Sequence, residues 1–326
     1  MSAATPLVEA RGLVKSFAVR GGLFDHGPRF RAVDGVDLVV RERETVGLVG
    51  ESGSGKSTLG RLLVRLVEPD AGSISFDGSD LLAVAPAPLR RLRRQFQIVF
   101  QDPYASLNPR MRVGSLVREP LDIHRIGADR SARREAAARL LEEVGLDRSA
   151  ADRYPHEFSG GQRQRIGIAR AIACGPRFVV ADEPVSALDP SIQAQIVNLL
   201  VDLQERHGLA YLFIAHDLRI VRVLASRVAV MYLGRVVEEG PTEEVYAHPL
   251  HPYTRALLDA VPRRRPGDAT ARLLVGEPPS PVNPPSGCRF RTRCPLAEAV
   301  CASEDPALKS VGPARRVACH LVVRSG

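Results

Sequence analysis

Gly50-Glu51-Ser52-Gly53-Ser54-Gly55-Lys56-Ser57 is the stretch that decides the fold. It follows the pattern G-x-x-x-x-G-K-[ST], and its flanks supply the context the pattern requires. Thr45 to Val49 is a short apolar run of strand character, and Ser57 to Val67 carries a helical apolar stripe stopped by Glu68-Pro69-Asp70 and Gly72. Glycines let successive backbone N–H groups turn toward phosphate oxygens, and the helix that follows adds its positive N-terminal end. Lys56 is placed to reach the β and γ phosphates of a nucleotide as a compact charge, and Ser57 to offer a hydroxyl to Mg²⁺. Gly50, Ser52, Gly53, Ser54, Gly55 and Thr58 complete the expected nucleotide-binding set. Lys occurs elsewhere only at 15 and 309, although Lys and Arg total 45, so the loop keeps a lysine in a chain that otherwise uses arginine.

Working outward, Leu7 to Phe17 and Val36 to Val40 have strand composition, Asp129 to Val144 and Gln162 to Cys174 read as helices, Phe178 to Ala181 as a buried strand, Ser191 to His207 as a helix and Ala210 to Ala215 as a strand. Strands and helices alternate at both ends with helices between. That order predicts an α/β fold, a parallel core carrying an inserted α-helical subdomain at about 102–175. Asp182 and Glu183 close the apolar run from Phe178. There Asp182 suits Mg²⁺, through water, and Glu183 is placed to polarise an attacking water.

The chain has 326 residues, 44% apolar and 25% charged, which is globular composition and more than one ordinary domain. It contains no run of eighteen apolar residues, and its first thirty residues lack a signal-peptide pattern, so the cytoplasm is the expected compartment. The net charge of +8 is dispersed. Its local runs, Arg90 to Arg94 and Arg263 to Arg265, read as solvated faces, and no nucleic-acid partner is expected. Pro262, Pro266, Pro278, Pro279, Pro281, Pro284 and Pro285 mark an extended connector, which divides a region 1–250 from a C-terminal extension 251–326.

Phe158-Ser159-Gly160-Gly161-Gln162, followed by a helix, forms a second anion site at a helix N-terminus. With the loop and the Asp182-Glu183 pair it resembles the signature of ATP-binding-cassette (ABC) ATPases, with Phe where Leu is usual. The resemblance implies a head-to-tail pair of cassettes, each ATP lying between the Lys56 loop of one subunit and the Ser159, Gly160, Gly161 and Gln162 segment of the other. Gln101, in Val99-Phe100-Gln101-Asp102-Pro103, resembles the Q-loop glutamine that reaches the metal and the attacking water. Ser186-Ala187-Leu188-Asp189 resembles the loop that crosses the dimer interface, and His216 resembles the switch histidine at the γ-phosphate. Phe17 resembles the aromatic that stacks on adenine; an ordinary core phenylalanine is the alternative. The insertion Gly21 to Phe30, Arg31-Ala32-Val33-Asp34-Gly35-Val36, Gln101 through Pro109, and His251-Pro252-Tyr253-Thr254 are similar to the ATPase subunits of oligopeptide/dipeptide importers. This implies ATP hydrolysis at the cytoplasmic face of the membrane, with a second ATPase subunit, two membrane-spanning permeases and an extracytoplasmic substrate-binding protein as partners. Soluble ABC ATPases acting on DNA or in translation are the rival class; their long coiled coils, paired cassettes or zinc modules are not evident in the sequence.

Cys288, Cys294, Cys301 and Cys319 are spaced C-x5-C-x6-C-x17-C, while Cys174 stands apart. In a reducing compartment clustered thiols suit a soft metal better than disulfides, but the short knuckles usual for structural zinc are missing. The surrounding residues resemble the importer family's C-terminal extension, some members of which carry a [4Fe–4S] cluster, with His320 not a ligand. Zinc and free thiols are the alternatives, and the expected role is to brace the extension.

Overall fold

The computed structural model describes residues 6–19, 27–260 and 276–323. Most of the insertion from Gly21 to Phe30, the Arg263 to Arg265 run and the first part of the connector, with Pro262 and Pro266, lie outside them.

The strands are β1 (Pro6–Ala18), β2 (Arg29–Arg41), β3 (Thr45–Val49), β4 (Ala71–Phe76), β5 (Ser79–Asp80), β6 (Phe96–Val99), β7 (Phe178–Asp182), β8 (Ala210–Ala215), β9 (Arg227–Tyr232), β10 (Arg235–Pro241), β11 (Lys309–Ser310) and β12 (Arg316–Val317). The principal helices are α1 (Lys56–Leu63), α2 (Pro86–Leu92), α3 (Pro103–Ser106), α4 (Val113–His124), α5 (Arg130–Glu143), α6 (Gly160–Ile172), α7 (Pro190–His207), α8 (Leu218–Leu224), α9 (Thr242–Ala247) and α10 (Pro252–Asp259).

Two sheets result. One is antiparallel, in the order β2-β1-β4-β5; the other runs β11-β12-β10-β9-β3-β8-β7-β6. Within the second, β9, β3, β8, β7 and β6 are parallel neighbours. These central strands are buried on both faces, as a parallel sheet requires. Val46, Leu48, Phe178, Val180, Leu212 and Ile214 face α1 and the antiparallel sheet. Val49, Val179, Ala181, Tyr211, Phe213 and Ala215 face the opposite core, shared with α6, α7 and α8. The alternation of these two sets within single strands is the period-two signature of the pleat.

Helix α1 sits unusually close to the sheet. A Cβ on Gly60 would lie 2.8 Å from Val180 Cγ1 and 2.9 Å from Ile214 Cδ1, so only glycine lets the helix approach this far. The helix ends at Leu63, short of the expected Val67, because Arg65 takes a left-handed φ of 48°.

Helices α3 to α6 fill the connection between β6 and β7. Asp129 caps α5 by accepting a hydrogen bond from the Ala132 N–H at 2.8 Å. Helix α4 carries Pro120 in its interior and has no counterpart among the expected helices. The C-terminal extension is joined to the rest of the chain by β12, which pairs antiparallel with β10. It is also joined by four arginines, each set against a carboxylate: Arg289 to Asp34, Arg293 to Glu51, Arg315 to Glu238 and Arg316 to Glu239. The planar guanidinium fork suits such partly buried pairs better than an ammonium, which gives the bias toward arginine a structural use.

Candidate functional site

Strands β3, β6, β7 and β8 run parallel and in register, Val49 beside Ala215 and Asp182 beside Ile214. Everything that follows a strand therefore emerges on one edge: the Gly50–Ser57 loop after β3, Gln101 after β6, Glu183 after β7 and His216 after β8. Ligands of open α/β sheets bind at this carboxyl edge.

The loop's shape rests on its glycines. Gly55 has φ 104°, and a Cβ there would lie 2.0 Å from the Ala32 carbonyl oxygen. Gly50 has φ 152° and meets the Met231 carbonyl oxygen at 2.1 Å in the same way. Lys56 is buried, its Nζ donating to the carbonyls of Gly50 at 2.8 Å and Glu51 at 2.9 Å. Burial pushes its pKa down, opposed by the nearby charges of Glu183, Asp182 and Glu51.

Ser57 Oγ donates to Asp182 Oδ1 at 2.7 Å. Asp182 is only 1% exposed, and its Oδ2 has no hydrogen-bond partner, the nearest cation being Arg61 at 3.9 Å. Burial raises the Asp182 pKa against the lowering effects of Ser57, Arg61 and Lys56. An orphaned, buried carboxylate oxygen beside a serine hydroxyl is a donor set that fits a hard divalent cation.

Glu183 takes a left-handed φ of 47°, held by its N–H donating to Ile214 O at 3.0 Å. A bulky residue at such an angle is strained by about 1 kcal/mol, a device concentrated at functional sites. Its Oε2 accepts from Gln101 Nε2 at 2.8 Å and lies 3.8 Å from His216 Nδ1. Phe17, Ser52, Gly53, Gly55, Lys56, Ser57, Thr58, Gln101, Glu183 and His216 all line one cavity of about 740 Å³. Phe17 stands at its rim, 37% exposed and tilted against Phe30 at 6.0 Å, so it is not a core phenylalanine.

The Ser159–Gln162 segment does not line this cavity. Ser159 caps α6, accepting from Gln162 N–H at 3.4 Å while Gln162 Oε1 accepts from Ser159 N–H at 3.0 Å, a capping box. Gly161 lets α6 abut α7, since a Cβ there would lie 2.5 Å from Ile192 Cγ2; Leu188 lies over Gly160, and Asp189 stands exposed at the α7 N-cap.

Cys288, Cys294, Cys301 and Cys319 line a second, much smaller cavity of about 10 Å³, and none is in a disulfide. Burial, reinforced by the neighbouring thiols, pushes Cys288 up to about 11. Topology brings the four thiols together as expected, yet among the described residues no group of three or more His, Cys, Asp or Glu is arranged to hold a metal ion. The expected ligand shell is therefore not formed in this conformation: the shared space is at most that of one water. His320, not expected to be a ligand, sits with Nε2 2.9 Å from the Glu304 carbonyl.

One residue of the site is not singled out by the sequence motifs. Glu51 is an acidic side chain inside an anion-binding loop, an anomaly that signals a cationic partner elsewhere. Arg293 is that partner, with contacts of 2.7 and 2.9 Å.

Comparison with known proteins agrees with this geometry. Residues 33–186 match the ABC transporter family model, and residues 237–301 match the model of the oligopeptide/dipeptide transporter C-terminal region. A protein of Brucella ovis described as a putative peptide import ATP-binding protein is 53% identical over 316 residues, covering 97% of this chain and 98% of its own. An oligopeptide transport ATP-binding protein of Bacillus subtilis is 51% identical over 320 residues, 97% of each chain. Among solved structures, a dimeric ATP-binding cassette in a post-hydrolysis state with ADP and Pi superposes with a TM-score of 0.65 at 30% identity, over 72% of this chain and 98% of that one. A Clostridium perfringens cassette from an ABC transporter complex gives a TM-score of 0.63 at 26% identity, over 74% of this chain and 91% of that one.

Proposed function

The chain belongs to the ATP-binding subunits of ABC transporters of the oligopeptide/dipeptide type, and on that premise we propose that it hydrolyses ATP at a cassette dimer interface to drive uptake of di- or oligopeptides through partner permeases. The observation that carries the reading is the convergence of Lys56, Ser57 with Asp182, and the Gln101–Glu183–His216 cluster on one edge of the parallel sheet.

In this account adenine stacks on Phe17, and the triphosphate lies along Gly50 to Thr58. Lys56 exchanges its two loop carbonyls for phosphate oxygens. Ser57, Gln101 and Asp182 would hold a Mg²⁺ ion, which would supply neutralisation of the phosphate charge, and the unpartnered Asp182 Oδ2 supports that assignment. Glu183 takes a proton from water as the water oxygen bonds to the γ-phosphorus and the bond to the ADP oxygen breaks. Gln101 orients the same water from its contact with Glu183, and His216 stands over the γ-phosphate. Ser159, Gly160, Gly161, Gln162 and Asp189 act on the nucleotide of a second subunit, identical or homologous, a reading supported by their absence from the lining of their own cavity.

No helix among the described residues is long and apolar enough to cross a membrane. The reading places the chain at the cytoplasmic face, docked on two permeases, with an extracytoplasmic binding protein delivering the peptide. For the four thiols the finer reading is a [4Fe–4S] cluster, with zinc the alternative. Soft donors gathered in one pocket support it, but the pocket must open to admit a cluster, and no step of hydrolysis runs through it. Iron and acid-labile sulfide in anaerobically purified protein test this point.

The principal test is Glu183→Gln. We expect ATP binding within about threefold of wild type and turnover lower by at least about 100-fold, as for loss of a general base. Near-normal turnover removes Glu183 from that role.

A further inference from the structure

Every polar group of Glu51 is engaged. Its N–H donates to Tyr253 Oη at 2.8 Å, its carbonyl accepts from Lys56 Nζ at 2.9 Å and from Ser54 N–H at 3.2 Å, and its carboxylate receives both Arg293 amino groups, at 2.7 and 2.9 Å. Tyr253, on α10, and Arg293 lie in two separate segments of the C-terminal extension 251–326, so the extension grips the phosphate loop from outside the nucleotide motifs. The grip is sheltered: the Arg293 side chain is 4% exposed, and Tyr253 is fully buried, 4.6 Å from the Tyr232 ring and 5.3 Å from that of Phe290. Exposed ion pairs contribute little, but this one is bidentate, with Arg293 sheltered and the Glu51 side chain 23% exposed, and such a fork holds geometry.

Electrostatics gives the pair a second consequence. Glu51 is one of the carboxylates whose charge acts on Lys56, and its backbone carbonyl is one of the two oxygens holding the Lys56 ammonium. Left unpaired, that carboxylate would repel an incoming triphosphate from within the loop that binds it. Burying a charge beside such a site is tolerable only when it is paired.

We propose that Arg293 and Tyr253 are positioning residues for ATP binding: Arg293 neutralises and orients Glu51, and the Tyr253 hydroxyl fixes the backbone N–H of the same residue, so that the C-terminal extension completes the phosphate loop from behind. Neither side chain lines the nucleotide cavity, so they act through Glu51 and Lys56. The extension is thereby part of the ATPase machinery and not only a brace.

The test uses the full-length protein and a fluorescent ATP analogue with Mg²⁺, comparing wild type, Arg293→Ala, Arg293→Lys, Glu51→Gln, Tyr253→Phe and the Glu51→Gln/Arg293→Ala double variant, with a melting temperature for each. Arg293→Ala is expected to weaken nucleotide affinity roughly 10-fold, about 1.4 kcal/mol, with turnover at saturating ATP changed less than about threefold. Arg293→Lys should fall between. The double variant should recover to within about threefold of wild type, because removing the orphaned charge removes the repulsion. Tyr253→Phe should cost about threefold, as for one hydrogen bond. Wild-type affinity in Arg293→Ala overturns the proposal, and so does a double variant as weak as Arg293→Ala, which would mark a brace without electrostatic action. If Arg293→Ala does not fold, Arg293→Lys and Tyr253→Phe decide the matter, and wild-type affinity in both overturns the proposal.

Discussion

Replacing Asp182 by asparagine should make the nucleotide-free protein more stable and the enzyme inactive. The carboxylate is 1% exposed, one oxygen is satisfied by Ser57 and the other has no hydrogen-bond partner. Burial outweighs Ser57, Arg61 and Lys56, so the folded pKa lies above its ordinary 3.8. A carboxyl that binds its proton more tightly folded than unfolded loses stability by ionising. That loss is absent below the unfolded pKa, grows as pH rises from there, and is complete above the folded pKa. Asparagine keeps the shape and the acceptor toward Ser57 without the charge, so above the folded pKa about 1–2 kcal/mol should be recovered, the scale of a buried polar group poorly satisfied. In a chain of this size that is roughly 2–4 °C in melting temperature. Thermal melts of wild type and the Asp182→Asn variant in EDTA provide the assay; the gap should narrow as pH falls through the folded pKa toward the unfolded one. With MgATP the order should reverse, since wild type gains ligand stabilisation that the variant lacks. An Asp182→Asn protein that melts lower than wild type without nucleotide refutes the reasoning, because the carboxylate would then be a structural asset and not a cost borne for the metal.

Gly55→Ala places a Cβ 2.0 Å from the Ala32 carbonyl at φ 104°; the backbone must shift, and calorimetry should show ATP affinity reduced roughly 30-fold, the equivalent of about 2 kcal/mol of strain. Ser159→Ala removes half of the α6 capping box. It should cost about 1 kcal/mol of stability while leaving ATP affinity of the isolated chain unchanged, and in a Glu183→Gln background it should suppress the ATP-dependent dimer seen by light scattering.

How far the chain can be read without coordinates depends on whether a feature is local. The Gly50–Ser57 loop, the cap of α5 at Asp129 and the strand ending at Asp182 are set by a few adjacent residues, and each lies where its sequence places it. Helix α4 is illegible because Pro120 reads as a breaker, yet Pro in a helix whose other face packs Val113, Leu116, Val117 and Leu121 into the core is tolerated through that packing. The family-like stretches Arg31 to Val36 and His251 to Thr254 can be quoted but not explained from sequence. In the structure the first supplies Asp34, the hub for Arg31, Arg235 and Arg289, and the second supplies Tyr253 behind the phosphate loop. The Arg293–Glu51 pair joins positions 242 residues apart, a contact that no local periodicity encodes. Of the three lysines only Lys56 lines the nucleotide cavity: Lys15 pairs with Asp70 at 2.8 Å and lies over the Phe17 ring, and Lys309 lies exposed on β11.

Coupling of ATP hydrolysis to peptide uptake through membrane partners can be measured in the assembled complex. It is tested most directly by the ATPase rate of the complex purified with its permeases into lipid, before and after addition of the peptide-loaded binding protein. The account predicts low basal turnover that rises several-fold with the loaded binding protein and disappears in Glu183→Gln. Equal turnover with and without permeases and binding protein, or stimulation by nucleic acid instead, would contradict it.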